Sequence, residues 1–142
     1  MRYQLKKTFA IEACHFLPLV HDEHKCKRLH GHSYKLTFFV SSEKLIDGMV
    51  CDFQDISLVV KSVIISVLDH QKLNDVRGLD NPTAENLAKW CADIFLNEFR
   101  MCFYRPTHPW HKDRKKQFIR LDAVEVQETE TSFCRYEVDE HI

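Results

Sequence analysis

Two stretches in the N-terminal part of the chain alternate between apolar and other residues with a period of two, and each carries a histidine where the other begins or ends. In the first, Phe9, Ile11, Ala13 and His15 interleave with Thr8, Ala10, Glu12 and Cys14; in the second, His32, Tyr34, Leu36, Phe38 and Val40 recur at every second position. Only an extended chain places residues two apart on one face, so both stretches read as strands with one side turned inward. The segment between them, Pro18 to Arg28, is polar and irregular, and the second strand is expected to return antiparallel to the first. That pairing sets His15, at the end of one buried face, beside His30-Gly31-His32 at the start of the other.

The remaining pattern predicts two helices and two more strands. Lys44 to Met49 reads as a turn. Asp52 then caps a helix whose apolar residues Phe53, Ile56, Val60, Val63 and Val67 recur every three or four positions and which stops near Leu68. Asn81-Pro82-Thr83 opens the second helix, with Thr83 as cap, Glu85 in the first turn, and Leu87, Trp90, Ile94 and Phe95 inward to about Phe99. Met101 to Gln117, with its charge run Lys112 to Lys116, reads as an exposed excursion. Strands Ile119 to Glu128 and Phe133 to Val138 follow, joined by the turn Thr129 to Ser132. The order ββααββ is that of an α+β domain, a four-stranded antiparallel sheet with two helices on one face.

With 142 residues, 44% of them hydrophobic and only three glycines, the chain reads as a single globular domain spanning residues 1–142. A net charge of -1 lacks the basic footprint of a nucleic-acid binder. There is no membrane-spanning stretch and no secretory leader pattern, so a cytoplasmic protein is expected, its six cysteines free thiols rather than three disulfides.

The chemistry concentrates in the histidines. His30 and His32 project to the same side of an extended segment and can converge on one ion. His15 on the paired strand supplies a third nitrogen. Three protein ligands leave the fourth tetrahedral position for water or substrate, the arrangement of a catalytic zinc. A His-x-His pair that merely packs or faces water is the simpler alternative, and the third histidine weighs against it. Cys26 can reach the same pocket, either as a thiolate base or as a fourth ligand closing the shell, and spacing alone leaves both open. Cys14 should point to the opposite face of its strand and pack. Asp69-His70 at the end of the first helix can work as an oriented imidazole, though adjacent Asp-His pairs are common by chance. Glu128, at a strand end, can accept two parallel N–H bonds from a guanidine-like heterocycle edge, or simply be solvated.

These residues carry a resemblance. Cys26-Lys27-Arg28-Leu29-His30-Gly31-His32 resembles the Cys-x-x-x-His-Gly-His motif of the 6-carboxytetrahydropterin synthase branch of the 6-pyruvoyltetrahydropterin synthase family, and Phe9 to His15 resembles that family's first strand. Gly48 to Phe53, Leu68-Asp69-His70, Leu73-Asn74-Asp75, Asn81 to Asn86 and Val126-Gln127-Glu128-Thr129 resemble its further blocks, in family order. The resemblance implies a tunnelling fold (T-fold) subunit, assembled as a homotrimer or homohexamer with sites between subunits. It implies zinc on His15, His30 and His32, Cys26 as catalytic base with Asp69 and His70 as proton-transfer partners, and Glu128 as the pterin anchor. The implied substrate is 7,8-dihydroneopterin triphosphate, on the way to queuosine and other deazapurines. Lys27 and Arg28 are candidates for the phosphates. The pyruvoyl-forming sister enzyme, a related T-fold enzyme with another pterin substrate and a non-catalytic zinc-binding oligomer are the competing expectations.

Overall fold

The structure, a computed structural model, describes residues 1–103 and 119–139. Strands β1 (Tyr3–His15) and β2 (His30–Ser42) form one long antiparallel ladder running without a break from Tyr3↔Ser42 to His15↔His30. The expected strand pair is therefore present and longer than its alternating core. Strands β4 (Arg120–Thr129) and β5 (Ser132–Glu137) extend the sheet on the far side of β2, both antiparallel.

A fifth strand corrects the expected four. Gln71–Lys72 (β3) pairs parallel with β1 at Ala13 and Cys14, giving a mixed sheet of order β3-β1-β2-β4-β5. Two residues carry no periodicity, so only the tertiary placement of this segment reveals it.

Asp52 caps the first helix, its carboxylate accepting the Gln54 N–H at 2.8 Å. This helix runs as α1 (Phe53–Val60), widens into a π-helical turn over Lys61–Ile65 and ends as α2 (Ser66–Leu68), where the sequence places its stop. The buried stripe is Ile56, Val59, Val60, Ile64 and Leu68, while Phe53 and Val67, expected inward, are 49% and 40% exposed. A π turn holds more residues than an α turn, so a 3.6-residue count carried across it drifts out of phase by Val67; Phe53, ahead of that turn, is the first residue of the helix.

Helix α3 (Ala84–Phe103) starts at Thr83, whose hydroxyl accepts the Asn86 N–H at 3.1 Å. Leu87, Ala88, Cys91, Ala92, Phe95 and Phe99 are buried, with Trp90 and Ile94 half-buried beside them. Met101–Phe103, expected in a loop, are helical; the rest of that excursion, including Lys112 to Lys116, lies outside the described residues.

The core lies between the helices and one face of the sheet. Phe95 stacks between Phe38 of β2 at 5.2 Å and Phe99 at 4.8 Å, and Phe9 meets Phe38 edge-on at 6.0 Å. Such aromatic pairs add about 0.5–1.5 kcal/mol each beyond the area they bury. The other sheet face is polar, with Arg135 paired to Glu125 at 3.1 Å and lying over the Phe39 ring at 4.4 Å.

Two bulges decide which way β4 points its side chains. Phe39 pairs with Ala123 but Val40 pairs with Leu121, which leaves Asp122 as an extra residue. Beyond it the inward positions become Val124, Val126 and Glu128. A second irregularity, between Gln127↔Phe133 and Thr129↔Ser132, leaves Glu128 itself unpaired. Bulges of this kind re-aim side chains at sheet ends.

Candidate metal centre

The β1–β2 register brings His15, His30 and His32 together, with one ring nitrogen of each lying within 4.8 Å of the others. Gly31 sits between two of them where a Cβ would come to 3.4 Å from the Ala13 carbonyl, so the strands approach closely at this point. His15 is 1% exposed; His30 and His32 line the open side.

The hydrogen bonds fix which nitrogens face inward. The His15 Nδ1–H donates to the Pro82 carbonyl at 2.8 Å, just ahead of α3, and the His30 Nδ1–H donates to the Arg28 carbonyl at 2.7 Å. In its neutral form each ring then presents a bare Nε2, and these two nitrogens stand 3.1 Å apart. Two lone pairs cannot hydrogen-bond each other. The buried His32 Nε2 has no hydrogen-bond partner at all among the described residues. Burial, reinforced by the neighbouring imidazoles, holds His15 and His32 below the ordinary histidine range, against the opposing pull of Glu128 and, at His15, of the Pro82 carbonyl. Converging imidazole nitrogens, with two of the rings tied through their far nitrogens to backbone carbonyls, are what a metal ion needs from histidine. These residues fit a metal.

Glu128 completes the cluster, its Oε1 lying 3.4 Å from both the His15 and the His32 Nε2. Tyr34, next inward on β2, is buried with its hydroxyl 3.2 Å from His15 Nδ1 and its ring edge-on to His32. Burial, with Glu128 nearby, pushes its phenol well above the usual range, so it stays neutral.

The other expected residues, Cys26, Asp69 and His70, make no hydrogen bond or ion pair with this cluster among the described residues. Cys26 sits half-buried on a 3-10 turn (Lys25–Lys27), and its sulfur is not among the converging ligand atoms. Asp69 and His70 form a pair on the β3 side of β1. The Asp69 Oδ1 lies 3.1 Å from His70 Nδ1 and accepts the Glu12 N–H at 2.9 Å, while the Glu12 carbonyl accepts the His70 N–H at 2.6 Å. The Glu12 N–H, with help from His70, holds the Asp69 carboxyl below its usual range. His70 adopts φ 59° and is largely exposed. Among the described residues no hydrogen bond or ion pair joins this pair to Cys26. Cys14 turns to the opposite face, as expected, 3.8 Å from the Gln71 carbonyl. The Lys27 ammonium donates to the Pro18 and Val20 carbonyls at 2.8 and 3.2 Å.

Sequence reasoning missed the Pro82 and Arg28 carbonyls and Tyr34. The two carbonyls leave no mark in residue identity. Tyr34 had a signal, as the next inward residue of the alternation after His32.

A family model described as 6-pyruvoyl tetrahydropterin synthase matches residues 4–139. The chain is 38% identical over 135 residues to a 6-carboxy-5,6,7,8-tetrahydropterin synthase of Synechocystis, covering 92% of this chain and 89% of that protein. It is 30% identical over 141 residues to a protein of the same name from Haemophilus influenzae, covering 95% and 99%. Among solved structures, Caenorhabditis elegans 6-pyruvoyl tetrahydropterin synthase superposes with a TM-score of 0.74 at 20% identity over 98% of this chain and 97% of that one, a likeness of fold.

Proposed function

Because the chain belongs to the 6-pyruvoyl tetrahydropterin synthase family and is a pterin synthase by its relatives, we propose that it is a zinc-dependent 6-carboxytetrahydropterin synthase. It would convert 7,8-dihydroneopterin triphosphate to 6-carboxy-5,6,7,8-tetrahydropterin, acetaldehyde and triphosphate, feeding queuosine and related deazapurines. One observation carries the reading: three imidazoles and a carboxylate converge on one point, on a chain that aligns almost end to end with carboxy-forming relatives.

Zinc on His15, His30 and His32 would supply Lewis acidity toward the substrate's side-chain oxygens, easing removal of the neighbouring protons. The protein's own groups do the rest. Glu128, inward on β4 and still 27% exposed, accepts two N–H groups from the pterin edge and sets the side chain against the histidines. Cys26 takes the proton, and His70, held by Asp69, gives or takes one on the opposite side of the reacting carbon.

Among the described residues no hydrogen bond or ion pair joins Cys26 to the Asp69–His70 pair, which suits a site shared between subunits. The sheet has edges to offer such a partner: β3 covers β1 only at Ala13 and Cys14, and β5 is the last strand on the other side. Unpaired edges invite strand addition, and head-to-tail pairing that closes gives a ring, here a homotrimer stacked into a homohexamer. None of the described helices is long and apolar enough to cross a membrane, and the reading places the enzyme in the cytoplasm.

The test is to incubate the zinc-loaded protein with dihydroneopterin triphosphate and identify products by mass spectrometry. Carboxytetrahydropterin with acetaldehyde is expected. A pyruvoyl product would move the protein to the sister reaction, and unchanged substrate would reduce it to a metal-binding oligomer.

A further inference from the structure

His24 opens the turn that carries Cys26. Its Nδ1 accepts the Cys26 N–H at 3.0 Å and so caps the 3-10 turn from the side chain. Accepting at Nδ1 requires that nitrogen to be unprotonated, so the ring carries its proton on Nε2. The Cys26 carbonyl is held as well, by the Leu17 N–H at 2.8 Å. Lys27 draws the outer wall of the loop onto the same turn through Pro18 and Val20, with the Asp22 carboxylate 3.5 Å away. The His24 ring is itself braced edge-on against His21, with centroids 5.5 Å apart. A side chain on a loop between strands has no sheet ladder to aim it. Here the peptides on either side of Cys26 are fixed instead by the turn's own bonds, Lys27 N–H to the His24 carbonyl at 3.0 Å and Arg28 N–H to the Lys25 carbonyl at 3.2 Å, and by the Leu17 N–H, with the His24 imidazole the one side chain among the described residues that holds them.

We propose that His24 is the positioning residue for the Cys26 thiol: its Nδ1 fixes the peptide from which the thiol projects, without touching substrate. This rests on the reading of Cys26 as the base. Displacing a reacting group by about 1 Å costs on the order of a hundredfold in rate, so a single hydrogen bond to that peptide is enough to matter.

The geometry supplies its own controls. In asparagine the Oδ1 stands as many bonds from the backbone as histidine's Nδ1, whereas glutamine sets its oxygen one carbon further out and leucine offers no acceptor. For the full-length zinc-loaded protein, His24→Leu and His24→Gln are expected to lower kcat roughly ten- to a hundredfold with KM little changed. His24→Asn should restore most of it. Alkylation of Cys26 by iodoacetamide, followed on its own peptide by mass spectrometry, should change rate in the Leu and Gln variants and return toward wild type in Asn, with zinc content equal throughout. Asn behaving like Gln, or Leu matching wild type in both kcat and alkylation, would overturn the proposal. The Asn/Gln comparison holds even where Leu disturbs folding. Cys26→Ala separates the two claims, since full turnover in that variant removes the base role while the alkylation series still reads whether His24 fixes the thiol.

Discussion

Replacing His30 by alanine tests the metal centre where it is most open. The variant loses one of three converging nitrogens and the bond from His30 to the Arg28 carbonyl, but it leaves His15 buried and tied to Pro82. Four-ligand structural zinc sites bind with about 10–16 kcal/mol in total, or about 2.5–4 kcal/mol per ligand. At about 1.4 kcal/mol per decade, losing His30 should weaken zinc binding roughly 10²- to 10³-fold. The fold should barely notice, because His30 sits at the end of the ladder and outside the core, where substitutions cost within about 0.5 kcal/mol. Both proteins would be equilibrated in a zinc buffer clamped about tenfold above the wild-type Kd, which fills about nine-tenths of wild-type sites and a tenth or fewer of the variant's. Elemental analysis of zinc per chain reads this directly, alongside the thermal midpoints of the metal-free forms. Equal zinc in the two proteins would remove His30 from the ligand set. Equal zinc loss with a large drop in the metal-free midpoint would mean the histidine acts through the fold.

Glu128→Gln should weaken pterin binding by calorimetry, since the amide turns one acceptor into a donor that opposes the ring N–H; unchanged affinity would leave Glu128 as a partner of the histidines alone. Burial opposes the charge on Asp122, but the donors Gln4, Ser41 and Arg120, with Arg2 nearby, outweigh it and hold the carboxyl below its usual range. Its contribution is therefore full above an unfolded pKa of about 3.9 and drains away as pH falls through the lower native value. Asp122→Asn should cost about 1.5–3 kcal/mol by urea unfolding at pH 7, with the gap to wild type closing in strong acid, and a gap independent of pH would contradict this. His70→Gly relieves a left-handed backbone of about 1 kcal/mol while deleting the imidazole, so the melting temperature should hold or rise as turnover collapses; retained turnover would take His70 out of the reaction.

The metal triad is legible in the amino-acid sequence because it needs only two facts, the two-residue period of a strand and the antiparallel return of β2. The helix caps at Asp52 and Thr83 are legible for a similar reason, since both are local. What the sequence hides depends on departures from regular counting. The π turn at Lys61–Ile65 exchanges Val67 for Ile64 and Leu68 in the buried stripe. The short β3 is defined only by where it lands. The carbonyls of Pro82 and Arg28 orient two of the ligands, yet backbone atoms are the same at every residue. Glu128 is legible as a polar strand end, but its approach to the histidines follows from an extra residue in β4 that no local pattern announces.

That extra residue makes the site carboxylate a matter of parity. Inward positions on β4 change from odd to even numbers as the chain passes Asp122, and Val124, Val126 and Glu128 all belong to the even set. A slip of β4 by one residue would carry Glu128 away from the histidines only by carrying both valines into water as well. Exposing those two side chains costs about 1.5–3 kcal/mol each, more than two contacts at 3.4 Å could repay. The aim of Glu128 is thus insured by hydrocarbon it does not touch. Its direction is set by the strand's register rather than by the partners it has.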